Sequence, residues 1–550
     1  MFGAGAMTNS IPEIRDTDLM FVIGSNTTEA HPIIAMEMKR ARQAGAKLIV
    51  ADPRKIWLAD MADLYLQLKP GTDVFLLNAM AKVIVDEGLI DRDFIAKHTH
   101  SFEALQENLK AFPLDEAERV TGVPAADIRQ AAIWYAETKK AGIYYTLGIT
   151  EHSHGTDNVY SLANLVLMTG HLGVQSAGMN PLRGQNNVQG ANDAGASPVF
   201  YPGYQKVDDD EARKKFEAAW GRPLSPDPGM NLNVMMKAIP KGKVRGLYVM
   251  GEDIVLSEPN NQVLEEGLRN IDFLVCQEIF FNETTKHAHV VFPGACFAEK
   301  DGVFTNSDRR VQRVRKAVDP PGNARPDWAI ICDLARAVGY PMPNYAGPGE
   351  VYAEMASLSP KFSGISHARI DAHVRGIQWP CTTPEDEGTV YLHQGGPSVG
   401  KAGFQVVSYR PSLELPDEAY PLVLSTGRTL YHYNAATQTR RDAGPVAKQA
   451  ENFIEAHPED AARYGLQDGD YVKVASRRGG VKAKVWLSGR VQQGSVWMPL
   501  HFAEEAANRL TNDAGDQITQ TAEYKVCAVT LIPLRRGENA KRDRQVAAMT

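Results

Sequence analysis

The chain has 550 residues, 43% hydrophobic and 23% charged, with 59 basic against 66 acidic side chains and a net charge of −7. That length exceeds what one hydrophobic core holds, so two to four domains are expected. The acidic balance excludes a general nucleic-acid binder, which presents a basic surface.

The opening Met1-Phe2-Gly3-Ala4-Gly5-Ala6-Met7 lacks the basic-then-apolar pattern of a secretory signal. No apolar run approaches the ~20 residues that span a bilayer, so direct membrane insertion is not expected. The first ~150 residues alternate strand-like and helix-like patterns. Leu19 to Ile23 is an apolar run ending in Gly24-Ser25-Asn26, followed by a helical pattern from His31 to Ala44. Lys47 to Ala51 is a second run closed by Asp52-Pro53-Arg54; Leu64 to Leu68 reads as a third strand and Asp73 to Glu87 as a helix. Ala141 to Thr146 is a further strand leading into Gly148. This rhythm predicts a parallel sheet with helices on both faces, and ligands then bind at the C-terminal ends of the strands.

A second α/β rhythm begins after residue 190. Strands are expected at Val244 to Met250, Phe273 to Cys276 and His289 to Phe292, with a helix at Asn261 to Arg269. Residues 340–415, rich in Pro, Gly and Ser, read as an irregular connection. From Tyr420 short strands separated by glycine turns (Leu422 to Ser425, Tyr471 to Ser476, Val481 to Leu487, Gly494 to Pro499) predict a β-barrel. The expected fold class is α/β: two doubly wound α/β domains at 1–185 and 186–400, the second incomplete, then a C-terminal β-barrel at 415–535. A charged tail at 536–550 completes the expected layout.

Several strand ends carry residues suited to ligands. Gly24-Ser25-Asn26 alone is weak, since glycine is common in strand-to-helix turns. Asp52 has the position of a ribose-binding acid in dinucleotide folds, and equally that of a loop carboxylate or helix cap. Asn180-Pro181-Leu182-Arg183-Gly184-Gln185-Asn186-Asn187-Val188-Gln189-Gly190 is more informative. It sets side-chain amides around one arginine, with two glycines permitting close backbone approach. An arginine so placed can grip a planar carboxylate through its fork of donors. His152 and His154, in Glu151-His152-Ser153-His154, read as polar lining or surface residues rather than a metal pair, and His287 and His289 carry no expected chemistry. Five scattered cysteines (Cys276, Cys296, Cys332, Cys381, Cys527) form no Cys-x-x-Cys pair, so neither zinc nor an iron–sulfur cluster is encoded here.

These segments occur in an order that resembles formate dehydrogenase catalytic subunits of the molybdopterin bis-guanine dinucleotide oxidoreductase family. The resemblance runs from Gly5-Ala6-Met7-Thr8-Asn9-Ser10, through Gly24-Ser25-Asn26 with His31-Pro32, Asp52-Pro53-Arg54 and Gly71-Thr72-Asp73. It continues through Gly251-Glu252-Asp253, Gly302-Val303-Phe304-Thr305-Asn306 and Ser425-Thr426-Gly427-Arg428 with His432, to Glu523-Tyr524-Lys525-Val526-Cys527. It implies a molybdenum or tungsten ion held by two pterin dinucleotides. Gly24, Asn26, Asp52, Arg54, Gly71 and Asp73 would grip one nucleotide, and His31 and Gly148 would also bind the cofactor. Gly251, Glu252, Asp253, Gln277, Glu278, Thr305 and Asp308 would grip the other. Arg428, Thr429, His432, Asn508, Tyr524 and Lys525 would cover the pterins from the barrel. Arg183 matches the arginine that orients formate, and Gln185 a partner of pterin or substrate.

The resemblance further implies that the metal-ligating cysteine or selenocysteine, its adjacent histidine and the cysteines of a [4Fe-4S] cluster precede Met1. The chain is then expected to oxidise formate to CO2 only with that N-terminal half and with electron-transfer subunits, in the cytoplasm. The alternatives are a non-catalytic pterin-dinucleotide-binding remnant or another molybdopterin oxidoreductase such as a nitrate reductase.

Overall fold

The computed structural model describes residues 1–534; the expected tail at 536–550 lies outside them. A five-stranded, wholly parallel sheet carries the strands in the order Leu64–Leu66, Lys47–Ala51, Leu19–Ile23, Ala141–Tyr145 and Gly178–Pro181. The chain first builds outward on one side of Leu19–Ile23, then returns to build on the other. The loops after Leu19–Ile23 and Ala141–Tyr145 therefore diverge, and a crevice opens between them at the strand ends.

The central strand is apolar at every position because both faces are covered. Leu19, Phe21 and Ile23 pack beneath the helices Asp73–Asp86, Ala125–Glu137 and Gly155–Met168. Met20 and Val22 face the other way, onto Ile34 and Met38 of the helix Pro32–Gln43. All five strand residues are buried.

The second parallel sheet has three strands, ordered Val290–Pro293, Phe273–Glu278, Gly246–Met250. One face, with Val249, Leu274 and Cys276, packs on Met236, Ile254, Leu264 and Leu268. The opposite face meets the start of the helix Asp327–Ala337 at one corner, where Gln277 Nε2 donates to Asp327 at 2.7 Å. Elsewhere it carries Tyr248, Met250, Phe273 and Val290 to the surface, 36–50% exposed.

The C-terminal unit is a closed six-stranded barrel in the order Leu422–Gly427, Ser495–Pro499, Phe453–Ala456, Gly480–Leu487, Tyr471–Ala475, Cys527–Pro533. Phe453–Ala456 and Cys527–Pro533 are strands that the turn pattern does not reveal. Cys527–Pro533 closes the barrel by pairing antiparallel to both Leu422–Gly427 and Tyr471–Ala475. The stretch expected to be irregular, 340–415, is partly helical, at Pro348–Leu358 and His367–Ala372. There Phe362, Ile365, Ile370 and Trp379 form a small core that Pro- and Gly-rich composition conceals. Among the described residues no helix is long and apolar enough to cross a membrane, and four of the five free cysteines are buried.

Candidate functional site

A groove of ≈ 380 Å³ opens where the strand order of the five-stranded sheet reverses, with the barrel as its other wall. This volume falls within the ~300–1,000 Å³ usual for cofactor and small-molecule sites. Gly24 and Gly148 form its floor, and their backbones touch. A Cβ on Gly24 would lie 2.7 Å from the Gly148 carbonyl carbon, and one on Gly148 would lie 2.5 Å from the Gly24 oxygen. Gly24 also has φ +55°, a conformation that side chains resist.

Fourteen residues expected at the cofactor site do line this groove: Gly24, Asn26, His31, Asp52, Arg54, Gly71, Asp73, Gly148, Gln185, Glu252, Arg428, Asn508, Tyr524 and Lys525. Arg54 is also a structural pin. Its guanidinium donates Nε and Nη2 to both oxygens of Glu455 in the barrel (2.6 and 2.7 Å) and stacks on Trp497, 3.9 Å from the ring centre. Lys525 Nζ pairs with Glu151 at 2.8 Å and donates to the Thr426 carbonyl at 3.0 Å. Arg428 lies against the amide-rich loop, where a side chain on Gly184 would meet its Nη1 at 2.6 Å. Asn508 Nδ2 donates to the carbonyls of Leu256 (2.9 Å) and Ser257 (2.8 Å), tying the barrel to the second α/β unit.

The other expected residues serve elsewhere. Asp253 accepts from Thr284 N and Oγ1 and from Glu283 N, stitching two loops of the second sheet. Gln277 bridges Tyr248 and Asp327; Glu278 accepts from the Ile279 N–H. Gly251 turns the chain at φ +65°, and its N–H donates to the Gln277 carbonyl. Thr305 N donates to Asn187 Oδ1, and Asp308 accepts from Ile11 N. Thr429 pairs with His501 and Gln449, and His432 with Gln449 and Thr439, all within the barrel's loops.

Arg183 stands beside the groove rather than in it. Its backbone carbonyl is held by His31 Nε2 at 2.7 Å, while its side chain turns to the Gly5 carbonyl and to Gln189 Oε1. Its sequence neighbours Leu182, Gly184 and Gln185 line the groove. The side chain is thus turned toward the chain's first residues, beside the groove.

Sequence reasoning missed Glu151, Glu258 and Trp497, which line the groove together with His152, read from the sequence as polar lining or a surface residue. His152 is buried; its Nε2 lies 2.9 Å from the Gly148 carbonyl, and its ring sits between Asp73 and Glu523. Burial opposes its charge, yet Glu523, Asp73 and the Gly148 carbonyl together raise its pKa. Glu258 follows a four-residue helix, Ile254–Ser257, and no local pattern marks it. Trp497 is one of several aromatics on barrel strands, and its role depends on Arg54 arriving from another domain.

The groove's electrostatics are mixed by design of its walls. Burial pushes the Asp52 carboxyl up to about 7 and Glu258 up to about 8, with Glu252 adding to the latter. Burial, followed by the Arg428 charge, outweighs the Arg183 carbonyl and lowers His31 to about 4, so its ring is neutral at pH 7. His31 Nδ1 is buried and unpartnered. The unpartnered His31 Nδ1 and the carboxyl oxygens of Asp52 suit a ligand rich in N–H donors; Arg428 and Lys525 suit its anionic part. A guanine nucleotide has both, and the residues present fit a pterin dinucleotide of that kind.

Comparison with known proteins points to a molybdopterin dinucleotide. A molybdopterin oxidoreductase family model matches residues 2–337, and a molybdopterin dinucleotide binding domain model matches residues 422–528. The chain is 45% identical over 533 residues to the F420-dependent formate dehydrogenase subunit alpha of Methanocaldococcus jannaschii, covering 96% of this chain and 78% of that protein. It is 35% identical to the assimilatory nitrate reductase catalytic subunit of Bacillus subtilis, covering 97% of this chain and 77% of that protein. Acetylene hydratase from Pelobacter acetylenicus shares the fold, with a TM-score of 0.77 at 19% identity over 97% of this chain and 80% of that one.

Proposed function

The chain belongs to the molybdopterin oxidoreductase family, and within it we propose that these residues form the substrate-orienting and cofactor-holding part of a formate dehydrogenase. The observation that carries the reading is the groove at the strand-order reversal, walled by the barrel, with the Arg183 loop along one side. The relatives named as formate dehydrogenases match nearly the whole chain, which supports formate as substrate.

Formate becomes CO2 by losing a proton and two electrons. When bound, a molybdenum or tungsten bis-pterin group would supply the two-electron acceptor. Gly24 and Gly148 give the close backbone approach that a dinucleotide needs, and Asp52 and Asp73 offer acceptors to guanine N–H groups. Arg428 and Lys525 offset phosphate charge, and neutral His31 presents Nδ1 without adding charge. Arg183 gives a small planar anion its main handle, because formate has little surface to bury. The barrel covers the strand ends, tied down by the Arg54–Glu455 pair. The protein ligand of the metal, a [4Fe-4S] cluster and partner subunits belong to the same proposal and lie outside the residues described.

The test is chemical. Protein purified under reducing, anaerobic conditions is denatured in hot acid, which hydrolyses the pyrophosphate of the released cofactor, and the resulting mononucleotide is separated and weighed. Two guanine mononucleotides per chain support the reading; none, or an adenine nucleotide, sinks it. Formate-dependent dye reduction by the complete enzyme, lost in Arg183→Ala, then identifies the substrate.

A further inference from the structure

Arg183 does not choose its own orientation. Its Nε donates to Gln189 Oε1 at 3.1 Å, and Gln189 is completely buried. Both hydrogens of the Gln189 amide are already committed: Nε2 lies 2.9 Å from Asp193 Oδ1 and 2.7 Å from the Tyr204 hydroxyl oxygen. Tyr204 in turn donates to the same Asp193 oxygen at 2.7 Å, and Trp379 Nε1 donates to the other, also at 2.7 Å. Gln189 and Asp193 sit four residues apart on one face of the short helix Val188–Asp193. Trp379 is fully buried and Asp193 nearly so, so water does not replace these bonds.

The geometry fixes the amide in one sense. An ionised carboxylate accepts only, so it draws the amide nitrogen and turns the amide oxygen the other way, onto Arg183. A reversed amide would set oxygen against carboxylate and N–H against N–H. With Nε held by Gln189 and Nη2 by the Gly5 carbonyl, the guanidinium's remaining hydrogens, on Nη1 and Nη2, keep a fixed direction.

We propose that Gln189 and Asp193 are positioning residues for Arg183, the Asp193 carboxylate dictating through the Gln189 amide which donors of the guanidinium stay free for a small carboxylate substrate. This deepens the formate reading and rests on it. Tyr204 and Trp379 anchor the carboxylate from the far side, and Lys361, 5.2 Å over the Tyr204 ring, closes the cluster.

The experiment uses the complete enzyme, with formate affinity read by calorimetric titration and by the split between KM and kcat. Asp193→Asn keeps size but leaves one acceptor oxygen where two serve Gln189, Tyr204 and Trp379; with that oxygen taken by Trp379 Nε1, its NH2 group faces the Gln189 amide. The amide then reverses and the bond to Arg183 is lost. Formate affinity should fall about tenfold, with KM rising and kcat changing by less than about threefold. The double variant Gln189→Glu with Asp193→Asn exchanges amide and carboxylate at unchanged net charge. It restores an acceptor to Arg183 Nε and a donor to the new carboxylate, so affinity should return to within about threefold of the native value. A merely structural role predicts no such rescue. If Asp193→Asn leaves affinity and KM unchanged, or the folded double variant stays as weak as the single one, the proposal is overturned. Arg183→Ala separates the two levels. If it too leaves formate binding intact, the formate reading of Arg183 falls and the positioning role with it; if it abolishes binding while Asp193→Asn does not, only the positioning role falls.

Discussion

The two parallel sheets are built from the same sequence rhythm and end differently. The five-stranded sheet is buried on both faces, and its strand-end residues are free to line a groove. The three-stranded sheet is packed on one face, and its strand-end polar groups Asp253, Gln277 and Glu278 are engaged with neighbouring loops. The difference is one of topology. Reversal of strand order opens a crevice in the first sheet, and the barrel seals that crevice; the three strands of the second follow one another in sequence order with no reversal. The glycine-marked end of the second sheet reaches the groove only through Glu252, because the crevice itself opens where the topology of the first sheet parts two loops.

The largest effect should come from breaking the seal. Arg54→Ala takes from buried Glu455 its bidentate partner and leaves only Arg490, 3.8 Å away, and loss of one member of such a pair costs up to about 3–5 kcal/mol. Thermal or urea unfolding should show the barrel and the first sheet losing their common transition. Unchanged stability would mean the barrel is held by other contacts.

Next in size, Gly148→Ala should cost about 1–3 kcal/mol, because the added methyl group meets the Gly24 carbonyl. Nucleotide content of the purified protein should fall with it. The matching change in the second sheet, Gly251→Ala, meets no atom within 4 Å and should cost only the strain of φ +65°, about 1 kcal/mol. Equal losses in the two variants would erase the contrast between the sheets.

A smaller effect is set by pH. The Glu258 carboxyl is raised from 4.5 to about 8 by burial and by Glu252. Between those values the folded chain binds more protons than the unfolded one, so stability falls as pH rises through the window. His152, also raised, adds loss of the same sign as pH climbs past its ordinary value. Glu258→Gln should flatten this slope and stabilise the nucleotide-free chain at pH 8.5 by about 1–2 kcal/mol, while weakening nucleotide retention. Denaturant titrations at pH 6 and pH 8.5 would measure it; a native-like slope in the variant would assign the pH dependence to other groups.

The smallest effect belongs to the open face. Phe273→Lys should change stability by no more than about 0.5 kcal/mol, since its ring is already half exposed. A loss above about 2 kcal/mol would show that the face is packed against something in solution.

Much was legible in advance because it is local. The alternation of Leu19 to Ile23 with Gly24, the closing Asp52-Pro53-Arg54, and the amide cluster around Arg183 each report their own backbone and hydrogen-bonding demands. Strand, helix and turn follow from spacing within about ten residues, and so does a parallel sheet with a barrel behind it. Glu258, Glu151 and Trp497 were not legible, because nothing adjacent in sequence distinguishes a carboxylate that will face a groove from one that will face water. Arg54 shows the limit most clearly. Its sequence context fits a nucleotide grip, but its guanidinium is fixed by Glu455, 401 residues away, and by the Trp497 ring. The sequence by itself determined which segments turn, which are buried, and which family order they follow. Only the tertiary structure decided which polar groups meet, because that depends on strand order and domain closure, which bring together atoms that no local pattern relates.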